Sequence, residues 1–326
     1  MLNAYNYAIG VDLGGTNIRV AAVESNGGID NEISIPTRSK RGREKIISDI
    51  VHLCKQIMER KSGKITAIGF GIPGALKLKE GIVTYSPHLP DWKNFPVKEY
   101  LKKDLNLPIV IENDANTAAM GEKWQGAGQG FSNLCCLTLG TGIGGGIILD
   151  NKIWRGSQGF AGEVGHMTIK YDGILCPCGN RGCLEAYASG SAIKRIAAEK
   201  LKNRGDSILK KPFLQNNDFI NPEVVYHAAQ NDDKTAIDIF REMGRYLGIG
   251  IVNITNLLNL DLMIIGGKVG AAWEFFYPAL SKELNSWPYT KAIRHVKIVP
   301  SQCGDNAGIL GAAYLAMNIK EADERF

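Results

Sequence analysis

Apolar residues along this chain recur in two periods, and stretches of each period take turns. Tyr7 to Leu13 (YAIGVDL) and Asn17 to Val23 (NIRVAAV) are short β-like runs on either side of Gly14-Gly15. Such runs around a glycine turn predict a hairpin. Ile33 and Ile35 can supply a third strand. Glu44 to Glu59 changes period: Ile46, Ile47, Ile50, Val51, Cys54, Ile57 and Met58 recur at three- and four-residue steps, which predicts a helix. Lys64 to Gly71 reads as a strand running into Gly71-Ile72-Pro73-Gly74, and Pro108 to Glu112 as a strand running into Asn113-Asp114. A helix follows from Ala115 to Gln125.

The pattern then restarts. Leu134 to Leu139 reads as a strand, Gly140 to Gly146 as a glycine-rich turn and Ile147 to Leu149 as the returning strand. DLGGTNIRVAAV and TLGTGIGGGIIL are two versions of one strand–glycine turn–strand unit, a weak internal repeat. Helices are expected from Ala192 to Lys202, Pro222 to Gln230 and Lys234 to about Leu257. Leu262 to Ile265 and Val296 to Pro300 read as strands, and Asn306 to Asn318 as a closing helix of small residues. A β-rich stretch followed by α/β, twice over, predicts two similar α/β domains facing a cleft. The boundary falls near residues 115–130, with the final helix returning to the first domain.

The 326 residues, 44% of them hydrophobic, are enough to form two packed domains. The formal net charge of +5 comes from 38 basic and 33 acidic residues spread along the chain. No dense basic patch announces a nucleic-acid partner, and Lys40-Arg41-Gly42-Arg43 reads as a solvated loop before a helix. No apolar run approaches the ~18–20 residues of a membrane span. The start of the chain lacks a basic-then-apolar leader. Seven cysteines, two of them adjacent at Cys135-Cys136, suit a reducing compartment better than a disulfide framework. Together these features predict a cytoplasmic protein with no membrane and no nucleic-acid partner.

Four groups of residues carry candidate chemistry. Asp12-Leu13-Gly14-Gly15-Thr16-Asn17 sets a carboxylate at a strand end beside a turn whose bare backbone N–H groups can face phosphate oxygens. The carboxylate can help hold Mg²⁺ through water; an ordinary hairpin with an exposed Asp fits the same residues. Gly140-Thr141-Gly142-Ile143-Gly144-Gly145-Gly146 repeats the offer with five glycines in seven residues, more than a hairpin needs. Neither loop has the P-loop pattern. Asp114 opens a helix, where Asp is commonly an N-cap but can also take a proton from a substrate hydroxyl. Within Gly162–Glu185, His166 precedes Cys176-Pro-Cys178-Gly-Asn-Arg-Gly-Cys183. One imidazole and three thiols at this density suit a closed tetrahedral zinc site, structural because no position is left open. Glu163 and Glu185 bracket the cluster and can accept hydrogen bonds from sugar hydroxyls.

In this order DLGGTNIR (12–19), GIPG (71–74), ENDAN (112–116), LGTGIGGG (139–146), GEVGH (162–166), CPCGNRGCLE (176–185), IIGGKVG (264–270) and GDNAGILGAA (304–313) resemble the ROK family of sugar kinases and repressors. GEVGH with CPCGNRGCLE is the most specific part. Within the family the likeness is to bacterial glucokinases. The resemblance implies two ribonuclease H-like, actin-like ATPase domains around a cleft, with a zinc-binding insertion in the second. They correspond to residues 1–118 plus 305–326, and 119–304. It implies transfer of phosphate from ATP to the 6-hydroxyl of a hexose, glucose first, with Mg²⁺ and structural Zn²⁺, in a homodimer or homotetramer. Asp114 matches the catalytic base; Asn113, Asp114, Gly74, Glu163, His166 and Glu185 match sugar contacts. Asp12, Gly14, Gly15 and Thr16 match the first phosphate loop, and Thr141, Gly142 and Gly144 the second. Gly266 and Gly267 match the stretch beside the adenosine, and His166, Cys176, Cys178 and Cys183 the zinc ligands. One departure stands out: His88 in Ser86-Pro87-His88-Leu89-Pro90 occupies a place where members often carry Asn, in a loop near the sugar.

Two alternatives remain open. One is a kinase for another hexose or an N-acetylhexosamine (N-acetylmannosamine, N-acetylglucosamine, fructose, mannose). The other is a sugar-sensing repressor. The 11 residues before Asp12 are too few for a helix-turn-helix, so the kinase reading is expected.

Overall fold

The structure is a computed structural model of the chain. It describes residues 7–61, 65–203, 206–216, 219–287 and 296–319. Residues 1–6 and 320–326 of the expected first domain, and Lys64 of an expected strand, lie outside the described residues.

The first half contains β1 (Tyr7–Leu13), β2 (Asn17–Glu24), β3 (Ile29–Pro36), α1 (Arg43–Arg60) and β4 (Ile65–Ile72). It continues with a small hairpin of β5 (Ala75–Lys77) and β6 (Ile82–Tyr85), then α2 (Val97–Lys102), β7 (Ile109–Asn113) and α3 (Asp114–Gln125). The second half runs β8 (Leu134–Leu139), β9 (Ile143–Leu149), β10 (Lys152–Ile153), α4 (Glu185–Ala188), α5 (Gly190–Asn203), α6 (Lys210–Gln215), α7 (Pro222–Gln230) and α8 (Lys234–Leu258). It ends with β11 (Leu262–Gly266), α9 (Trp273–Asn285), β12 (Lys297–Pro300) and α10 (Ala307–Met317).

Two five-stranded sheets result, ordered β3-β2-β1-β4-β7 and β10-β9-β8-β11-β12. Each set stands in the order third, second, first, fourth, fifth, so the sequence repeat is a repeat of topology. In the first sheet β1 pairs antiparallel with β2 and parallel with β4, and β4 runs parallel to β7.

Alternation along β1 decides what each face can pack. Ile9, Val11 and Leu13 point into a large core with Ile46, Ile50 and Ile57 of α1. The opposite face, Ala8 and Gly10, is nearly bare and lets α10 lie directly on the strand. A Cβ built on Gly10 would stand 2.2 Å from the Ile309 carbonyl oxygen. Asp12 ends this small-residue row, so its carboxyl arrives at Gly308 in the first turn of α10.

By internal contact the chain divides into two compact units. One holds Met1–Cys136, Gly146–Gly162 and Gln302–Phe326; the other holds Leu137–Gly145 and Glu163–Ser301. The second unit is built around α8, which buries Ile239, Phe240, Met243, Leu247 and Ile251. Gly244 lets α8 come close to the backbone of α9 at Phe276.

The structure changes one expectation about the glycines. Gly140–Gly146 is not all turn: β9 begins at Ile143, so Gly144, Gly145 and Gly146 are strand residues. Gly146 is there for space. A Cβ on it would lie 2.5 Å from both the Ala115 carbonyl oxygen and the Ala119 methyl of α3. Among the described residues no helix is long and apolar enough to cross a membrane.

Candidate functional site

In the first unit the chemistry gathers where β7 meets α3. Asn113 is the N-cap of α3, its side chain accepting from the backbone N–H groups of Ala115 and Asn116 at 2.9 and 3.2 Å. Its amide also donates to the Gly74 carbonyl at 3.2 Å. Asp114 is therefore the first helical residue rather than the cap. Its Oδ1 shares the Ala115 N–H at 2.9 Å, and the helix N-terminus favours its negative charge.

Asp12 is half-buried and close enough to Asp114 for their charges to interact. Burial pushes its pKa from an ordinary 3.8 up to about 7, and the Asp114 charge adds to the rise. Arg19 opposes it, while Asp305 reinforces it. Arg19 is itself held by Glu32 at 2.7 Å, by Asn306 at 2.6 Å and by the Asp305 carbonyl. A divalent cation suits this place, because it would relieve the repulsion between the desolvated Asp12 carboxyl and Asp114.

The first glycine loop is pinned from below. Gly14 N–H donates to the Asn17 carbonyl at 2.9 Å, and Thr37 donates through its backbone N–H to Thr16 O at 2.8 Å and through its hydroxyl to Gly14 O at 2.6 Å. Gly15 and Thr16 remain exposed. His88 lies against Gly15: a Cβ there would stand 3.0 Å from the His88 Cβ and 3.3 Å from its Nδ1. The family resemblance set His88 in a loop near the sugar; the structure shows that this loop packs on the first glycine loop.

In the second unit His166, Cys176, Cys178 and Cys183 converge, with their ligand atoms all within 4.8 Å of one another. His166 Nδ1 is 3.9 Å from Cys176 Sγ, and Cys178 Sγ is 3.7 Å from Cys183 Sγ. The edge of a zinc–thiolate tetrahedron with ~2.3 Å bonds is about 3.8 Å, so the donor set and its size fit zinc. The chain reaches this geometry through Gly179 and Gly182, at φ 94° and 73°. The Tyr187 hydroxyl accepts from Ile174 N–H at 2.7 Å and anchors the base of the hairpin. Burial raises the Cys183 thiol to about 12, and a backbone hydrogen bond from Asn180 lowers Cys178.

Glu185 begins α4, and its Oε2 accepts from Ile143 N–H at 2.8 Å. The carboxylate fills the space that Gly142 leaves open, where a Cβ would be 2.2 Å away. The loop carbonyls are held by the start of α5: Gly190 N–H donates to Gly140 O at 2.8 Å, and the Ser191 hydroxyl to Thr141 O at 2.9 Å. Glu163 is exposed and precedes the turn Val164–His166. Gly266 ends β11, and Gly267 at φ 79° packs on the backbone of Leu139. Thus the metal-type cluster, Glu185 and the loop at 140–142 form one neighbourhood of the second unit. Asp12, Asn113, Asp114, Gly74 and Gly15 belong to the first.

Sequence reasoning missed Glu112 and Arg155. Glu112 is 1% exposed and bonds Arg155 Nε at 2.7 Å. A Glu ending an apolar strand carried a signal that went unused, since carboxylates are almost never fully buried without a partner.

The description of the ROK family matches residues 8–319 of the chain. The glucokinase of Halalkalibacterium halodurans is 33% identical over 97% of this chain and 97% of its own. The xylose repressor of Caldicellulosiruptor bescii is 33% identical over 95% of this chain and 78% of its own. Among solved structures, a ROK family glucokinase from Streptomyces griseus in complex with glucose and AMPPNP superposes with a TM-score of 0.85. It is 35% identical over 96% of this chain and 100% of that one.

Proposed function

The chain belongs to the ROK family, and from that premise we propose that it is a sugar kinase carrying the γ-phosphoryl group of ATP to the 6-hydroxyl of glucose. The observation that carries this reading is Asp114, a carboxylate at the first residue of α3 whose capping duty has passed to Asn113. Full-length similarity to glucokinases, one of them solved with glucose and an ATP analogue, supports glucose and ATP as the substrates.

Phosphoryl transfer demands placement and charge neutralisation more than covalent chemistry. In this reading Asp114 accepts the proton of the sugar hydroxyl as its oxygen attacks phosphorus. Asn113, Gly74, Glu163, His166 and Glu185 hold the remaining hydroxyls. Glu185 has spent Oε2 on Ile143 and offers Oε1. His166 turns Nδ1 toward Cys176, which leaves Nε2 for the sugar. Gly14, Gly15 and Thr16 receive phosphate oxygens, as do Thr141, Gly142 and Gly144; Gly266 and Gly267 border the nucleoside. Asp12 would hold Mg²⁺, which supplies charge neutralisation for the phosphates. His166, Cys176, Cys178 and Cys183 would hold zinc, which supplies rigidity to the hairpin beside the sugar-binding side chains.

The test is ADP release by purified protein across glucose, mannose, fructose and the N-acetylhexosamines. Glucose should give the highest kcat/KM; preference for another sugar reassigns the substrate. Asp114→Asn should lower kcat by about 10³-fold or more, with sugar affinity by calorimetry largely kept. A variant keeping more than about a tenth of the activity removes the base assignment. The repressor similarity supports a second reading, sugar sensing without turnover. No ADP release on any sugar, together with specific DNA retention, would favour it.

A further inference from the structure

We propose that Arg155, acting through the buried carboxylate of Glu112, is a positioning residue for Asp114; this rests on the reading of Asp114 as the base. Glu112 is the fourth residue of β7 and stands at the corner where the strand turns into α3. Its two oxygens have separate tasks. Oε1 accepts from the backbone N–H of Asn113 at 2.9 Å and from the Asn116 side-chain amide at 3.0 Å. Oε2 accepts from Arg155 Nε at 2.7 Å. Asn116 is buried, and no donor among the described residues reaches its Oδ1, so the bond to Glu112 is what orients its amide.

The consequence follows from where those bonds land. Glu112 fixes the backbone of the residue immediately before Asp114 and a side chain one helical turn into α3. Asn113 is the cap whose side chain also bonds Gly74. The corner therefore carries Asp114 on a backbone held from three directions.

Arg155 is what allows the carboxylate to be there. A buried carboxylate without a cation must take up a proton or draw in water, and either change alters what Oε1 can accept. Arg155 is itself fixed in place. It follows β10, its neighbour Trp154 donates to Ile147 O at 2.8 Å, and its own carbonyl accepts from Ala161 N–H at 3.0 Å. The short loop 155–161 so closes on itself and presents the guanidinium to Glu112. Arg155 touches neither reacting atom in this account; it sets where Asp114 stands.

The experiment compares the wild-type chain with Arg155→Met, Arg155→Lys, Glu112→Gln, the double variant Arg155→Met/Glu112→Gln, and Asp114→Asn. Each is assayed for ADP release with glucose, for glucose affinity by calorimetry and for its unfolding midpoint. Arg155→Met should lower kcat about 10- to 100-fold, with KM for glucose and ATP within about 3-fold of wild type in protein that is folded at the assay temperature. Arg155→Lys should recover part of kcat. The double variant should be no slower than Arg155→Met alone, because both substitutions break one device. Wild-type kcat in Arg155→Met, a loss confined to KM, or losses that multiply in the double variant would overturn the proposal. If Arg155→Met does not fold, Arg155→Lys decides: reduced kcat at unchanged KM supports the inference, and wild-type kcat overturns it. Asp114→Asn separates the two readings. An inactive Asp114→Asn beside a fully active Arg155→Met removes only this inference, whereas an active Asp114→Asn removes the base assignment and this inference with it.

Discussion

At the scale of single residues, Asp12 shows how a buried carboxyl beside a second acid costs stability. Its pKa rises from 3.8 to about 7 through burial and the Asp114 charge. A carboxyl raised in the folded state favours folding most below pH 4 and loses that contribution as pH climbs through 7. In chelator, the unfolding midpoint of the wild-type chain should therefore fall between pH 5 and pH 8 relative to Asp12→Asn. The variant should be the more stable of the two at pH 8, by at least about 2 °C. Parallel midpoints at both pH values would mean that Asp12 bears no such strain. The sequence showed the residue types here, because a strand ending in Asp before two glycines is a local pattern. It did not show which helix Asp12 faces, nor that His88 covers Gly15. Both depend on contacts between residues far apart in the chain.

At the scale of elements, periodicity found β1, β8 and α7 to the residue and most other elements to within one or two. It missed α9, where Pro278 inside the helix reads as a breaker. It also missed the short β5–β6 hairpin and α2, which have too few residues for a period to show. The expected turn at Gly140–Gly146 ends at Gly142 instead, and Gly146 in β9 makes room for α3 rather than freedom for a loop. Close approach also governs α10 on α3. A Cβ on Gly311 would sit 1.7 Å from the Thr117 carbonyl oxygen. Alanine there gains up to about 1 kcal/mol of helix propensity but must push two backbones apart, and overpacking costs about 1–3 kcal/mol or more. Gly311→Ala should therefore lower the urea midpoint, with a net loss of about 1–2 kcal/mol. A midpoint at or above wild type would show that α10 can shift without loss. Because α10 also carries Gly308 beside the Asp12 carboxyl, the same variant should reduce activity in the protein that remains folded.

At the scale of the whole molecule, a repeated sheet is elaborated differently in its two copies, and the second carries the Cys/His hairpin. The hairpin leaves Tyr171 and Leu175 exposed, and polar anchors such as the Tyr187 hydroxyl and the four convergent ligands help to order it. Zinc binding would then be folding energy for this segment. Cys178 is exposed and supplies no core packing, which makes Cys178→Ala a clean probe of the metal's part. The variant should lose bound zinc by elemental analysis and bind glucose about 10-fold or more weakly by calorimetry, although no cysteine is assigned to the sugar. Its effect should reach recognition through His166, proposed above to serve both zinc and sugar, and through Glu185, two residues beyond Cys183 and bonded to the loop at Ile143. Chelation of the wild-type chain should reproduce the loss, and added zinc should reverse it in the wild type but not in the variant. Normal glucose affinity in zinc-free protein would separate metal from recognition and leave the hairpin's rigidity to Tyr187 and its backbone bonds alone.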